Sequence, residues 1–383
     1  MLKRLRLAGF RNLAPLDLRF STRFTVFVGE NGAGKTNLLE AVHVAGYLRS
    51  FRCADAGALV RAGDVHARIE VEQRTHADRP PTRLEVRVHR TGTGARREAL
   101  VDGKRVRRFR DYFGRLPVVL FSPEDLSVLR GGPKGRRDLL DRAVAVGEPV
   151  HLADLSDYVK IQRSRNKLLS DARDRAGRLD DALLATYDTK LSALGGRIRV
   201  RRRRWIDAVR ADFVREYGAI CGEALVPDLD YRSKDGAVLA EEDESAACAA
   251  FADALESSRG EDLRRGQTTE GPHRDDLIVT LGGHRAATFA SQGQTRALVL
   301  ALKLAEIERL ARDGPTRPTL LLDDVSSELD PQRTARLFEV LERTVEQCLL
   351  STTDAALVRV EDPADRTVYD VAHGSVAPRG RRA

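Results

Sequence analysis

The segment Gly29-Glu30-Asn31-Gly32-Ala33-Gly34-Lys35-Thr36 sets glycines, a lysine and a threonine at the spacing G-x-x-x-x-G-K-[ST]. That spacing suits phosphate. Glycines let successive backbone N–H groups turn inward around an anion, and a helix starting directly afterwards adds the positive end of its dipole. Lys35 is placed to reach the β- and γ-phosphates of a nucleotide, and the Thr36 hydroxyl to ligate Mg²⁺. The flanks agree: Thr25–Val28 reads as a short apolar strand and Asn37-Leu-Leu-Glu-Ala-Val42 as a helix. A chance glycine-rich turn would not need strand, loop and helix all in place.

A second group lies far along the chain. Thr319-Leu-Leu-Leu-Asp323-Asp324 is an apolar run ending in two carboxylates. Such a run puts Asp323 at the tip of a buried strand, where it can hold Mg²⁺, and leaves Asp324 to polarise an attacking water as a general base. Just upstream, Phe289-Ala-Ser291-Gln292-Gly293-Gln294 opens an apolar helix expected from about Thr295 to Leu310. A serine and backbone donors at a helix amino terminus can cap a γ-phosphate, or the serine can simply cap its own helix. Taken in order, these segments and Ser327-Glu-Leu-Asp330 resemble the P-loop, LSGGQ signature, Walker B strand and D-loop of ABC-type ATPases. Gln292 stands where a glycine is usual. In that superfamily the signature belongs to the protomer opposite the bound nucleotide, which implies that Ser291, Gly293 and Gln294 bind ATP across a dimer.

The elements that must position these groups follow from their separation. Lys35 and Asp323 stand at opposite ends of a 383-residue chain, so a large insertion divides the nucleotide fold. Leu152, Leu155 and Val159, then Leu183, Leu184, Leu191 and Leu194, recur at helical steps and supply it, with Gly195-Gly196 expected to break or bend the array. Residues 1–100 are strand-rich, and Asp102-Gly103 reads as a type I′ hairpin turn. The expected fold is therefore α/β, an ABC-type ATPase head with a helical second lobe inserted and no long coiled coil. Residues 1–125 and 277–375 would form the ATPase lobe, 126–276 the helical lobe, and 376–383 a disordered basic tail.

Composition excludes several classes. Hydrophobic residues at 42% and charged residues at 32% are ordinary for a soluble globular protein, and no apolar run reaches the roughly 18 residues of a membrane span. Cys53, Cys221, Cys248 and Cys348 lack metal-site or disulfide spacing, and no histidine pair or hydrolase triad is apparent. The amino terminus alternates like a strand and has no signal-peptide block. A cytoplasmic protein without membrane partners is expected. The net charge of +8 favours a polyanionic partner.

Further words narrow the resemblance to the RecF family: Phe10-Arg11-Asn12, Ser50-Phe51-Arg52, Phe121-Ser-Pro-Glu-Asp-Leu126, Gly132-Pro133 with Arg136-Arg137-Asp-Leu-Leu-Asp141, Arg165-Asn166, and Gly271-Pro-His-Arg-Asp-Asp276. The resemblance runs nearly end to end. It implies an ATPase head like those of SMC proteins but without their long coiled coil, with Arg11 among the ATP contacts. It further implies DNA binding at single-stranded gaps, an ATP-dependent homodimer, and weak, DNA-stimulated hydrolysis. The implied partners are RecR, RecO and RecA, and the implied settings are recombinational repair, replication restart and SOS induction. Asp324 stands where transporter subunits carry a glutamate, and Thr353 stands near the usual switch histidine. Both departures imply a switch more than a motor.

Two basic runs are candidate DNA surfaces. Residues 96–115 hold eight basic side chains against three acidic ones, including Arg105, Arg107 and Arg108. Arg197, Arg199 and Arg201 to Arg204 lie on the insertion beside an apolar stripe of Trp205, Val209 and Phe213. Neither run has interleaved aromatics, so backbone contacts with little base specificity are expected. Glu124 and Asp125 are candidates for a Q-loop position, or begin a helix in the ordinary way. His273 and Arg274 either face nucleotide or DNA or hold a structural loop. A transporter ATPase subunit and a non-hydrolysing ATP-gated clamp are the rival readings.

Overall fold

A computed structural model describes residues 1–75, 80–92, 94–108, 111–174, 179–222, 225–239, 243–314, 317–324 and 331–380. The chain divides into two compact units: residues 1–127, 212–224 and 291–383 form one, and residues 128–211 and 225–290 the other. This departs from the expected boundaries, most extensively at two places. Residues 277–290 belong with the helical unit, because their strand pairs within it, and residues 212–224 belong with the ATPase unit.

In the first unit, β1 (Leu2–Ala8), β2 (Leu16–Arg19), β4 (His66–Gln73), β5 (Thr82–Thr91), β6 (Gly94–Val101) and β7 (Lys104–Arg105) form an antiparallel sheet in the order β2-β1-β4-β5-β6-β7. A second sheet has the order β15-β14-β3-β13-β12-β8. It contains β3 (Phe24–Val28), β8 (Val118–Phe121), β12 (Thr319–Asp323), β13 (Cys348–Thr352), β14 (Arg366–Ala372) and β15 (Ser375–Pro378). Every residue of β3, β12 and β13 is buried, as expected for parallel strands covered on both faces. Helix α1 (Lys35–Tyr47) shares one apolar core with both sheets, its Leu38, Leu39 and Val42 clustering with Leu5, Ile69 and Val86 of one sheet and Phe27 and Leu349 of the other. The terminal segment, expected to be disordered from residue 376, instead pairs β15 with β14 as far as Pro378, and Arg379 bonds Asp370.

The second unit carries helices α3 (Pro133–Gly147), α4 (Val150–Asp174), most of α5 (Asp181–Cys221), α6 (Glu244–Ser257) and α7 (Arg259–Arg265), with β9 (Pro227–Arg232), β10 (Asp276–Leu281) and β11 (His284–Arg285) as a three-stranded sheet. Tyr158, Leu191, Ile198, Phe251 and Leu255 centre its core. Gly195-Gly196 does not break α5, which runs on for 41 residues. The pair instead lets α6 approach: a side chain at Gly195 would overlap the Phe251 ring, and one at Gly196 would come within 2.7 Å of the Cys248 backbone nitrogen. The helical cost of two glycines is offset by close packing. No long coiled coil is present among the described residues, and no helix there is long and apolar enough to cross a membrane.

Candidate nucleotide site

The P-loop joins β3 to α1 as its sequence predicts. Gly34 is the α1 N-cap at φ 117°, without a side-chain cap, so the first-turn N–H groups remain available to an anion. A side chain at Gly34 would also press within 2.9 Å of the Leu13 methyl carbon. Lys35 curls back over the loop and donates to the carbonyls of Gly29 at 2.7 Å and Glu30 at 2.9 Å. Burial pulls its pKa down, opposed by the charges of Asp324 and Asp323.

The magnesium candidates meet across the sheet. Thr36 Oγ1 donates to Asp323 Oδ1 at 2.9 Å, and Ser351 Oγ donates to the same oxygen at 2.6 Å. Burial pushes the Asp323 carboxyl above its ordinary range, and the neighbouring charges of Glu124 and Asp324 push the same way, against the two hydroxyl bonds. A buried carboxylate beside like charges and a threonine hydroxyl is a donor set that suits a divalent cation. Among the described residues no group of three or more His, Cys, Asp or Glu gathers as a metal cage. Asp324 follows at φ 51°, and its N–H donates to Ser351 Oγ at 3.1 Å. Ser351 thus ties the Asp323 carboxylate to the Asp324 backbone. Sequence reasoning missed that role, because only the parallel register of β12 with β13 sets Ser351 opposite Asp323.

The family words around the loop form one hydrogen-bonded brace. Arg11, at φ 50°, grips the fully buried Glu40 of α1 through two bonds of 2.8 and 2.6 Å, and donates to the Ala58 carbonyl. Ser50 Oγ bonds the same Glu40 oxygen at 2.5 Å. Asn12 accepts from Asn37, which in turn accepts from Arg52. The Arg11 guanidinium thus braces the loop through Glu40 of α1, and the contact with ATP that the resemblance implies for it is carried forward as a proposal. A second brace was not legible in the sequence. The turn between β14 and β15 bonds the loop directly, Gly374 N–H donating to the Ala33 carbonyl at 3.0 Å.

Ser291 is the N-cap of α9 (Gln292–Asp313). Its Oγ accepts from Gln294 N–H at 3.2 Å, while the Gln294 side chain accepts from Ser291 N–H, a complete capping box. Ser291 remains exposed, so it caps its own helix and still faces solvent with Gly293 half-buried behind it. The D-loop candidate, Ser327 to Asp330, lies outside the described residues. Asp125 is buried and accepts from Ser122 N–H at the start of α2 (Pro123–Arg130), the helix-initiating role, whereas Glu124 is exposed. Thr353 is exposed just past the end of β13.

The basic runs separate. Arg105, Arg107 and Arg108 are exposed after a turn in which Asp102 and Gly103 both have positive φ, as expected. Arg105 lies 3.4 Å from Glu98. On the insertion the expected surface is corrected. Arg201 is buried against Asp154 at 2.6 Å, Arg202 is buried on Asp141 at 2.7 Å, and Arg199 is buried on Asp275 at 2.8 Å. Only Arg204 of the run is exposed. Buried guanidiniums require such partners, because an unpaired charge there costs several kcal/mol, roughly 3–5 when one partner is removed.

His273 holds a loop within the second unit, the structural one of its two readings, while Arg274 beside it is exposed. Its ring bonds Tyr158 OH at 2.8 Å and the Thr268 carbonyl at 3.2 Å, and burial pushes its pKa down to about 4. Because the unfolded chain binds the proton near pH 6.5 and the folded chain only near 4, stability is lost as pH falls through that window. The loss is about 2 kcal/mol by about pH 5. His273→Gln should flatten that part of the stability–pH curve in urea titrations; an unchanged curve would assign the acid sensitivity to other groups.

Comparison with known proteins bears on the family and the fold. Residues 1–373 match the family model described as RecF/RecN/SMC N terminal domain. The chain is 40% identical over 372 residues to the DNA replication and repair protein RecF of Myxococcus xanthus, covering 97% of this chain and 95% of that one. It superposes with TM-score 0.86 on the recombination mediator protein RecF solved with ATP in the RecFOR pathway, at 28% identity and covering 99% and 97% of the two chains. An SMC head bound to the C-terminal winged-helix domain of ScpA shares the fold, at TM-score 0.57 and 15% identity, covering 100% and 98%. The chain belongs to the RecF family, with an ABC-type ATPase head of the SMC kind.

Proposed function

We propose that this protein is an ATP-gated DNA-binding recombination mediator. ATP and Mg²⁺ occupy the P-loop of the first unit, with Gly29 to Thr36 around the phosphates, Arg11 among the ATP contacts, Lys35 on the β/γ-phosphates, and Thr36 and Asp323 on the metal. The observation that carries this reading is the convergence of Thr36, Asp323 and Ser351 directly beside a lysine that folds back on its own loop carbonyls. When bound, Mg²⁺ neutralises phosphate charge. ATP draws a second copy onto the nucleotide through Ser291, Gly293 and Gln294, and the paired heads hold DNA through exposed cations such as Arg105, Arg107, Arg108 and Arg204. Hydrolysis is slow, DNA-stimulated, and releases the pair. In the cell, the protein works with RecR and RecO to help RecA load at single-stranded gaps, and so supports repair, replication restart and SOS induction.

ATP turnover with and without DNA tests this directly. Asp324→Asn should lower turnover about a hundredfold or more while preserving ATP binding, the size expected for loss of a general base. Undiminished turnover would mean another group activates the water. No measurable turnover in the unmodified chain, with ATP-dependent DNA binding retained, would favour a clamp that works by binding alone.

A further inference from the structure

The second unit contains a cavity of about 1200 Å³ that the nucleotide chemistry does not use. Its lining is strongly cationic, and its charges do not balance internally. Glu261 is matched by Arg265 at 2.8 Å, Glu270 by Lys234 at 2.7 Å, and Asp276 by Arg136 at 2.7 Å. Asp235 is the remaining lining acid. Against it stand Lys134, Arg274 and Arg285, all exposed to the cavity, with no carboxylate within ion-pair distance among the described residues. Arg137 joins them, its guanidinium donating, among the described residues, to the Asp275 carbonyl at 2.7 Å. Burial, and then the charge of Arg202, lowers the Arg137 pKa against the opposing charges of Asp276, Asp138 and Asp275, so an anion at this cation would relieve its burial. The amino end of α3 opens on the same cavity, with Gly132 as an N-cap lacking a side-chain bond.

We infer that this cavity is a binding groove for the phosphodiester backbone of single-stranded DNA. The inference rests on the DNA-binding reading above and assigns it a surface that the basic sequence runs did not reveal. The cations unpaired among the described residues come from three separate stretches of chain, at residues 134–137, 274 and 285, and meet only in the fold. Shape selects the ligand. A flexible single strand can bend its phosphates into a concavity of about 1200 Å³, where a stiff duplex can present only the edge of its backbone. No phenylalanine, tyrosine or tryptophan lines it, so recognition falls on phosphates and carries little base preference.

The test uses the full-length chain with ATP and Mg²⁺, and measures anisotropy of a labelled oligothymidylate and of a blunt duplex across a salt series. Neutralising three single-strand phosphate contacts contributes about 2 to the slope of log affinity against log salt. The Lys134→Gln/Arg274→Gln/Arg285→Gln variant should therefore show a slope shallower by about 2 for the oligothymidylate and bind it at least tenfold more weakly at low salt. Its duplex binding and its affinity for a fluorescent ATP analogue should stay near the unmodified values. Inorganic tripolyphosphate should compete the oligothymidylate off the unmodified chain and not off the variant. A variant that binds oligothymidylate with unchanged affinity and slope overturns the groove, as does an equal loss for strand and duplex. An unmodified chain that binds neither DNA would defeat the DNA-binding reading itself, a result distinct from failure of the groove.

Discussion

Lys35→Met should bind a fluorescent ATP analogue about a hundredfold or more weakly than the unmodified chain, while unfolding at nearly the same temperature. The ammonium is the charged donor nearest the position of the β- and γ-phosphates. Each hydrogen bond from a charged group to phosphate contributes about 1.5–3 kcal/mol. Two such bonds correspond to a factor of roughly 10²–10⁴ in affinity. Methionine keeps the length and most of the volume of lysine, and the bonds lost within the chain are those to the Gly29 and Glu30 carbonyls. The fold should persist because its core does not depend on them: β3 and α1 are held by Phe27, Leu38, Leu39 and Val42, all buried. Equilibrium titration beside a thermal melt separates the two effects. Unchanged affinity in a folded variant would remove Lys35 from the site.

The second large effect concerns pairing. Ser291→Arg should leave ATP binding near normal and abolish the ATP-induced dimer. Ser291 is exposed at the amino end of α9, away from any hydrogen bond to its own P-loop among those of its side chain described above. Arginine there would lose the cap, at about 1 kcal/mol, and place a bulky cation against the positive end of the helix. A 22-residue helix with a continuous apolar face tolerates that loss. What it would not tolerate is the approach of a second nucleotide-bearing surface. Light scattering with saturating ATP reads the result: a variant of dimeric mass would reduce Ser291 to the capping role that its hydrogen bonds already display.

How much of this was legible in the residues depends on whether a group acts locally. The P-loop is a run of consecutive residues whose conformation follows from its own glycines and flanks, and the structure forms it as read. Asp323 was equally plain, since an apolar strand ending in a carboxylate has few alternatives. Ser351 and Gly374 were not, because each reaches the site through strand pairing that joins distant segments. The arginine run failed for the opposite reason. Arg199, Arg201 and Arg202 look like a solvated face in one dimension, and only the fold supplies Asp275, Asp154 and Asp141 to bury them. Gly195-Gly196 misled in the same way: the pair marks a close helix crossing that depends on α6, and nothing adjacent in sequence announces it. The bond from Arg11 to Glu40 was not legible either, because Glu40 lies more than a helix turn inside α1 and only the fold brings the two together.

The central claim is that nucleotide draws two copies of this chain together. Sedimentation velocity of the unmodified chain with Mg²⁺ and either no nucleotide, ADP or ATP tests it most directly. The account predicts a monomer in the first two conditions and a dimer with ATP, with the dimer persisting longest in Asp324→Asn. A mass that stays the same in all three conditions, at concentrations where ATP is shown to be bound, would contradict it.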